Sequence, residues 1–220
     1  MERYLPLLQS SPLFHGLRAE EIRQLLQCLG APVRQFGKGA FLWHEGDVVT
    51  HCGIVLRGTV DAVRYGDDGT EELVARQSPG DVFGELLMAA QQPSPVSLRC
   101  AQMTEVLFLP LEGILGGCDK CCAQHTLLRR NLLQLTGRKF WQQQRRTVYL
   151  SQPSLRQRVL LYLRDTQRES GSDTFTVPYN REELATFLGV NRSALSRELG
   201  RMQQEGLLEF YRSSFRISSR

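Results

Sequence analysis

The sequence has no long hydrophobic stretch and no secretion signal at its start. No run of apolar residues approaches the roughly 18 that a membrane-spanning helix needs. The opening residues, MERYLPLLQSSPLF, lack the basic start and long apolar core of a signal peptide. We therefore expect a cytoplasmic protein without a membrane partner.

The motifs of several common enzyme classes are also missing. The chain carries no phosphate-binding loop, no catalytic triad signature and no metallohydrolase motif. It shows no internal repeat and no low-complexity segment. The sequence thus predicts that the protein is not an enzyme. It also predicts ordinary globular domains, because 41% of its 220 residues are hydrophobic.

Charge is distributed unevenly along the chain. Residues 1–117 contain 9 Lys or Arg against 14 Asp or Glu, a net charge of −5. Residues 118–220 contain 18 against 9, a net charge of +9. A basic second half is attracted to phosphates, which supplies the part of DNA binding that does not depend on sequence. A solvated basic surface is the alternative interpretation.

The segment NREELATFLGVNRSALSRELGRM, residues 180–202, predicts two short helices joined by a tight turn. Asn180 is a good N-cap and Glu183 completes a capping box, which stabilises a helix by about 1 kcal/mol. Gly189 ends the first helix, because glycine takes a positive φ without steric cost. Asn191 then caps a second helix, whose buried side is predicted to hold Ala194, Leu195, Leu199 and Met202.

This pattern is typical of a helix-turn-helix, whose second helix enters the DNA major groove. An arginine on that helix suits the O6 and N7 acceptors of guanine, and one bidentate contact discriminates by about 1 to 3 kcal/mol. A packed helical hairpin with solvated arginines is the alternative. The predicted DNA-reading residues are Asn191, Arg192, Ser193, Ser196 and Arg197.

Two predicted strands follow, Leu208 to Tyr211 and Phe215 to Ile217, around the turn 212–214. They complete a winged helix-turn-helix and so disfavour the plain hairpin. Phosphate contacts position a protein on DNA without reading its sequence. The candidates for such contacts are Arg181, Arg212 and Ser213.

The first half of the chain predicts a different architecture. Residues 1–29 indicate two short helices, Arg3 to Gln9 and Ala19 to Leu29. Residues 32–109 instead show short alternating runs separated by glycine-containing turns, which are typical of a barrel or a double-sheet roll. The predicted strands are Ala40–Trp43, Gly53–Leu56, Thr59–Tyr65, Glu72–Gln77, Val96–Cys100 and Glu105–Leu109.

The stretch GIVLRGTVDAVRYGDDGTEELVARQSPGDVFGELLM resembles the β-roll of the cyclic-nucleotide-binding superfamily. With the winged helix-turn-helix behind it, nearly the whole chain resembles the CRP/FNR family of bacterial transcription regulators. The resemblance implies an α+β fold with three parts: an N-terminal double-stranded, jelly-roll-like β-roll that senses an effector, a long dimerisation helix, and a winged helix-turn-helix that binds DNA. We assign these parts to residues 1–117, 118–150 and 151–220.

The resemblance further implies a homodimer that binds a pseudo-palindromic operator in double-stranded DNA, with RNA polymerase as another partner. An effector in the roll would shift the long helices and set the two recognition helices about 34 Å apart. Well-known relatives carry Glu where this chain has Ser193, so its half-site should differ from theirs. The resemblance also places the effector-facing part of the long helix near Gln143 and Gln144, which could equally be a solvated surface.

The predicted effector pocket departs from that of cyclic-AMP-binding relatives. In those relatives a Gly-Glu-Leu segment, here Gly84-Glu85-Leu86, meets the nucleotide, and a later Arg-Ser pair clamps its phosphate. This chain has Pro95 and Val96 in place of that pair, followed by Ser97. Pro95 has neither a side-chain charge nor an amide proton, so we expect a small-molecule effector other than cyclic AMP. Glu85 could instead accept hydrogen bonds from backbone amides in a turn.

A long helix is predicted from about Cys121 to Leu150, roughly 45 Å in length. Leu128, Leu132 and Leu135 follow a coiled-coil-like spacing, which predicts dimerisation with a second copy. Gly137 costs about 1 kcal/mol inside a helix and would allow two helices to approach closely.

Three cysteines and one histidine lie together at the start of this helix: Cys118, Cys121, Cys122 and His125. They could share one helix face, and thiolates with a neutral imidazole suit zinc, iron or a cluster. A redox- or metal-responsive regulator is therefore an alternative function. Small buried cysteines beside a surface histidine are the simpler interpretation, because no second cysteine-rich stretch completes a four-ligand set. We therefore assign no metal.

Overall fold

The computed structural model of the chain describes residues 1–116 and 123–218. They fall into two compact units, Met1–Arg138 and Lys139–Arg220. This division lies within the long helix, whereas the sequence suggests boundaries after residues 117 and 150, which stay a prediction. Within the described residues, no helix is both long and apolar enough to cross a bilayer.

Short helical elements open the first unit. They are 3-10 turns at Glu2–Tyr4 and Pro12–Phe14 and α-helices at Leu5–Ser10 (α1) and Ala19–Cys28 (α2). α2 begins where the carboxylate of Glu21 accepts the backbone amide of Arg18 at 2.8 Å. Its apolar side is buried at Ile22, Leu25 and Leu26, as is Leu29 directly after the helix.

Within residues 1–116, eight strands form two antiparallel sheets of four strands each. In chain order they are β1 (Val33–Phe36), β2 (Phe41–Trp43), β3 (His51–Arg57), β4 (Val60–Tyr65), β5 (Glu71–Gln77), β6 (Val82–Phe83), β7 (Ser97–Cys100) and β8 (Thr104–Pro110). The strand orders are β1-β8-β3-β6 and β2-β7-β4-β5. The prediction of a double-sheet roll is thereby confirmed.

The sequence pattern misses four short elements of this unit. These are β1, β6 and two helices, α3 (Glu85–Ala90) and α4 (Leu111–Leu115). β6 has two residues and exists because it pairs with β3, while α3 begins after Gly84 adopts a φ of 77°. Elements this short have no periodicity to detect.

Two apolar cores meet at one sheet of the roll. Alternate residues of β3 and β8 enter different cores, because successive side chains of a strand point to opposite faces. Val55, Val106 and Phe108 lie between the sheets. Ile54 and Leu107 pack with α1 and α2 on the other side.

The long helix α5 is described over Ala123–Leu150. Its first turns contribute to the core with α1 and α2, since Leu128, Leu132 and Leu135 are only 0%, 8% and 7% exposed. Asn131 donates two hydrogen bonds to backbone carbonyls of the N-terminal segment. The chain itself therefore covers these three leucines, which corrects the sequence-based assignment of a dimer seam to them.

The second unit continues from the end of α5 with three helices and three strands among the described residues. They are α6 (Leu155–Ser170), β9 (Thr174–Thr176), α7 (Arg181–Phe187), α8 (Arg192–Gln204), β10 (Leu208–Tyr211) and β11 (Ser214–Ile217). The strands form an antiparallel sheet in the order β10-β11-β9. The predicted winged helix-turn-helix is confirmed.

We expect Gly53→Ala to destabilise the first unit. A Cβ at Gly53 would lie 2.2 Å from Cζ of the Phe83 ring. Overpacking of this kind costs about 1 to 3 kcal/mol, so urea unfolding followed by circular dichroism should begin at lower urea. Gly37→Ala is the matched control, because no atom lies within 4 Å of its added Cβ. Equal losses in the two variants would contradict this account of the packing.

Candidate nucleic-acid interface and sensor cavity

Two side-chain caps and a glycine fix the start and end of α7 and the start of α8. The side-chain oxygen of Asn180 accepts the amide of Glu183 at 3.0 Å, and the Glu183 carboxylate accepts the Asn180 amide at 2.8 Å. Gly189 follows with a φ of 68°. Asn191 then caps α8 by accepting the amide of Ala194 at 2.8 Å. All three local predictions for this segment are met.

The buried side of α8 determines which of its side chains face outwards. Leu195, Leu199 and Met202 are completely buried in the core of the second unit. Four predicted DNA-reading residues are consequently exposed together along the first two turns. We call this surface the recognition face, and it consists of Arg192, Ser193, Ser196 and Arg197.

The recognition face keeps its positive charge. Across residues 1–116 and 123–218, no carboxylate forms an ion pair with Arg192 or Arg197. The nearby Glu198 is instead engaged by Arg156 at 2.6 Å and by Arg201 at 3.8 Å. Two arginines therefore remain available for an anionic or acceptor-rich partner.

Asn191 and Ser193 contact each other at the start of α8. The Ser193 hydroxyl donates to the side-chain oxygen of Asn191 at 2.8 Å, and that oxygen also serves the helix cap. Both residues are exposed. Asn191 therefore offers its amide NH₂ group to a partner, and Ser193 offers its hydroxyl oxygen as an acceptor.

The wing is a hairpin whose loop has two residues, Arg212 and Ser213, between the paired Tyr211 and Ser214. Arg212 is exposed, has a φ of 54°, and lies with its guanidinium carbon 5.4 Å from the Tyr211 ring centroid. The Ser213 hydroxyl donates to the carbonyl of Tyr179 at 3.1 Å. Ser213 thus anchors the wing, whereas Arg212 is free to extend from it.

Arg181 supports the wing from α7. Its guanidinium carbon lies 5.0 Å from the Phe210 ring centroid and 5.6 Å from that of Phe215. Its Nη2 donates to the carbonyl of Arg212 at 3.1 Å. Burial lowers the pKa of Arg181, and the charge of Arg192 lowers it further. These contacts give Arg181 a role in positioning the wing, and its predicted phosphate contact stays a prediction.

The last turns of α5 are bonded to the helices of the second unit. The Tyr149 hydroxyl donates to Asp165 of α6 at 3.0 Å, and Arg145 donates to the Tyr149 oxygen at 3.0 Å. Burial raises the pKa of Tyr149 to about 12, and the hydrogen bond to Asp165 adds to the rise. Arg146 donates to the carbonyl of Phe187, at the end of α7, at 3.1 Å. A displacement of this end of α5 would therefore move α6 and α7.

In the first unit, Trp43 links the two predicted effector segments. Its indole N–H donates to the hydroxyl oxygen of Ser94 at 3.0 Å, directly before Pro95. At the other end of the ring, a Cβ added to Gly84 would lie 2.9 Å from Cη2 of the indole. The ring therefore lies between the two segments. No local sequence pattern singles out Trp43, because only the tertiary fold brings it to both segments.

Two of the other predicted effector residues are buried in the roll. Glu85 and Ser97 are buried, at 2% and 3% exposure. The Ser97 hydroxyl accepts the backbone amide of Glu45 at 2.9 Å, so it already has a partner. The rest are exposed or half-buried: Leu86, Pro95, Val96, Gln143 and Gln144. The two glutamines belong to the second unit.

An open cavity of about 350 Å³ is lined instead by residues of β1, β2, β3 and β8 and of the loop 47–50. Its apolar lining includes Phe36, Trp43 and Phe108, and its polar lining includes Arg34, Asp47, Thr50 and His51. We call it the sensor cavity. No residue of 84–86 or 95–97 lines it, so the sequence-predicted pocket and the cavity differ in location.

The predicted cysteine-histidine group is only partly covered by the structure. Cys118, Cys121 and Cys122 lie outside the described residues. His125 is buried, which corrects its expected surface position, and burial together with the charge of Arg129 lowers the pKa of His125. In the part of the chain that the structure describes, no group of three or more potential ligands could hold a metal ion.

Comparison with known families matches both halves of the chain. Residues 33–121 match the cyclic nucleotide-binding domain, and residues 157–220 match the Crp-like helix-turn-helix domain. The first match covers the roll and the second covers α7, α8 and the wing.

Known proteins resemble the chain over most of its length. It is 28% identical over 201 residues to the cyclic AMP receptor protein of Thermus thermophilus, and this alignment covers 91% of this chain and 89% of that protein. It is 26% identical over 189 residues to the transcriptional activator protein FnrA of Stutzerimonas stutzeri, covering 84% and 75%. The crystal structure of the Thermus thermophilus catabolite activator protein aligns over 94% of both chains, with a TM-score of 0.56 and 27% identity.

Arg181→Lys should separate wing support from phosphate contact. Lysine keeps the charge but loses the planar guanidinium that stacks on two rings, so we expect a stability loss of about 1 kcal/mol and weaker DNA binding. Thermal unfolding and fluorescence anisotropy with duplex DNA measure the two effects. Arg212→Lys is the matched control and should leave stability unchanged. A stable Arg181→Lys variant with normal DNA affinity would contradict the role in wing support.

Proposed function

The chain belongs to the CRP/FNR family of DNA-binding transcription regulators, and from that premise we propose that it acts as a homodimer on a pseudo-palindromic operator and responds to a small molecule in its β-roll. Family members are regulators, not enzymes. A cytoplasmic location and an interaction with RNA polymerase belong to the same proposal.

The recognition face is the observation that carries the proposal. It presents Arg192 and Arg197 on the first two turns of a helix whose opposite side is buried. Such a helix meets base edges with its N-terminal residues when it enters the major groove. Both arginines lack a competing carboxylate among the described residues, so they can donate to bases or phosphates without first breaking an ion pair.

The side chains of the recognition face favour guanine in each half-site. Arginine donates two hydrogen bonds to O6 and N7 of guanine, whereas cytosine is read best by an acidic acceptor. The face contains two arginines and two serines and no carboxylate. We infer that Arg197 reads a guanine, that Ser196 adapts to a neighbouring base, and that Arg212 on the wing contacts a phosphate.

An exposed apolar stripe on α5 supports a homodimer. Leu133, Phe140, Trp141 and Val148 are 74%, 57%, 63% and 52% exposed. Their spacings of 7 and 8 residues keep them on one side of the helix. Gly137 lies among them, and an added Cβ there would meet no atom within 4 Å. We propose this stripe as the dimer seam, in place of the leucines that the chain buries itself.

The effector is proposed to be a molecule other than cyclic AMP. One relative carries the name cyclic AMP receptor protein, but this chain has Pro95 and Val96 where such relatives clamp the phosphate. Pro95 is exposed and cannot donate a hydrogen bond. The Ser97 hydroxyl is already bonded to the chain's own backbone. A cyclic phosphate would therefore find no charged partner at residues 95–97.

We predict that Arg197→Ala lowers affinity for the operator by about 1 to 3 kcal/mol while leaving binding to random duplex DNA nearly unchanged. Fluorescence anisotropy on an operator obtained by in vitro selection and on a shuffled duplex measures both. Arg201→Ala is the matched control, because it removes the same charge one helical turn farther from the N-terminus. Equal losses on the two duplexes would refute base reading by Arg197.

Leu133→Glu is expected to break the dimer, because it places a like-charged pair and two uncompensated carboxylates in the proposed seam. Analytical ultracentrifugation should show a dimer for the wild type and a monomer for the variant. Leu73→Glu, at an apolar residue of β5 that is 51% exposed, is the control and should remain dimeric. A dimeric Leu133→Glu variant would place the interface elsewhere.

A further inference from the structure

The sensor cavity has the size and lining of a small-molecule site. Ligand pockets typically enclose about 300 to 1,000 Å³ and combine apolar walls with a few polar groups. This cavity encloses about 350 Å³. Phe36 and Phe108 meet edge-to-face with their ring centroids 6.1 Å apart. Trp43 lines the same cavity from β2, in the other sheet. Flat apolar groups would therefore find three aromatic side chains to contact.

The polar side of the cavity carries one cationic donor, Arg34, beside the His51 ring. The Arg34 guanidinium carbon lies 5.7 Å from the Phe108 ring centroid, and the His51 ring meets the same phenyl edge-on at 6.2 Å. Throughout residues 1–116 and 123–218, no carboxylate pairs with Arg34. The Asp47 carboxylate also lines the cavity, and its Oδ2 accepts the His44 backbone amide at 2.8 Å. The Arg34 guanidinium thus lies beside the Phe108 ring and has no carboxylate partner among the described residues.

We propose that the sensor cavity binds a small, flat organic acid, with its carboxylate on Arg34 and its rings against Phe108 and Trp43. Arginine holds a carboxylate with two parallel charge-assisted hydrogen bonds, which a neutral or cationic molecule of the same shape cannot accept. This site differs from the one that the family resemblance predicts, because none of residues 84–86 or 95–97 lines the cavity. The proposal rests on the β-roll acting as a sensor.

Trp43 connects the cavity to the segments around Gly84 and Ser94. The indole lines the cavity, donates to Ser94, and touches the position where Gly84 leaves no room for a side chain. A ring that displaces the indole would disturb both segments at once. Binding at the cavity can therefore change the same loops that the family pattern associates with effectors.

Fluorine NMR of protein labelled with 5-fluorotryptophan tests the proposal directly. The chain contains two tryptophans, and the Trp43 resonance is identified by its loss in the spectrum of Trp43→Phe. The probes are 2-naphthoate, 2-naphthalenemethanol and 2-naphthylmethylammonium, which share one ring system and differ in charge. We expect 2-naphthoate alone to shift the Trp43 resonance saturably. Arg34→Met should weaken this binding at least about tenfold.

Arg64→Met is the matched control, because Arg64 is an exposed arginine of β4 that does not line the cavity. No saturable shift with 2-naphthoate, equal binding of the three probes, or equal losses in the two arginine variants would overturn the proposal. DNA binding is measured separately by anisotropy. An empty cavity with normal operator binding would refute the site alone, whereas a filled cavity without operator binding would refute the regulator proposal alone.

Discussion

The burial of one side of α8 is the constraint on which the DNA-binding site depends. Leu195, Leu199 and Met202 are inaccessible to solvent, so they fix the rotation of the helix about its axis. A rotation by one residue, about 100°, would bury Ser196 or an arginine in the core, at the high cost of an unpaired polar group. The cap at Asn191 fixes where the helix begins. The recognition face follows from these two restrictions.

The long helix α5 buries one side of its first turns and exposes another. Leu128 and Leu135 bury one side in the first core, while Leu133 and Trp141 remain exposed on another. Near its end, Tyr149 and its neighbours bond the helix to α6 and α7. The two parts of the chain also differ in charge. Phosphates repel the acidic first part and attract the basic second part.

The sequence predicts those features that local rules determine. The caps at Asn180 and Asn191, the wing strands and the roll depend on side-chain spacing and turn residues, and the structure contains them all. Local rules could not reveal which surface covers an apolar face, so the leucines around Leu132 were assigned to a second copy although the chain covers them. Likewise, the charge of Arg181 suggests a phosphate partner and does not reveal its contacts with β10, β11 and the loop between them, which are distant in sequence. Trp43 escaped detection for the same reason.

The most direct test of a dimeric, sequence-reading regulator is in vitro selection of random duplex DNA by the purified full-length protein, followed by sequencing. The account predicts enrichment of an inverted repeat that contains guanine in each half-site. The half-site centres should lie about 10 base pairs apart, or a multiple of one helical turn. Enrichment of a single unpaired half-site would contradict the dimer, and the absence of any enriched motif would contradict sequence-specific DNA binding itself.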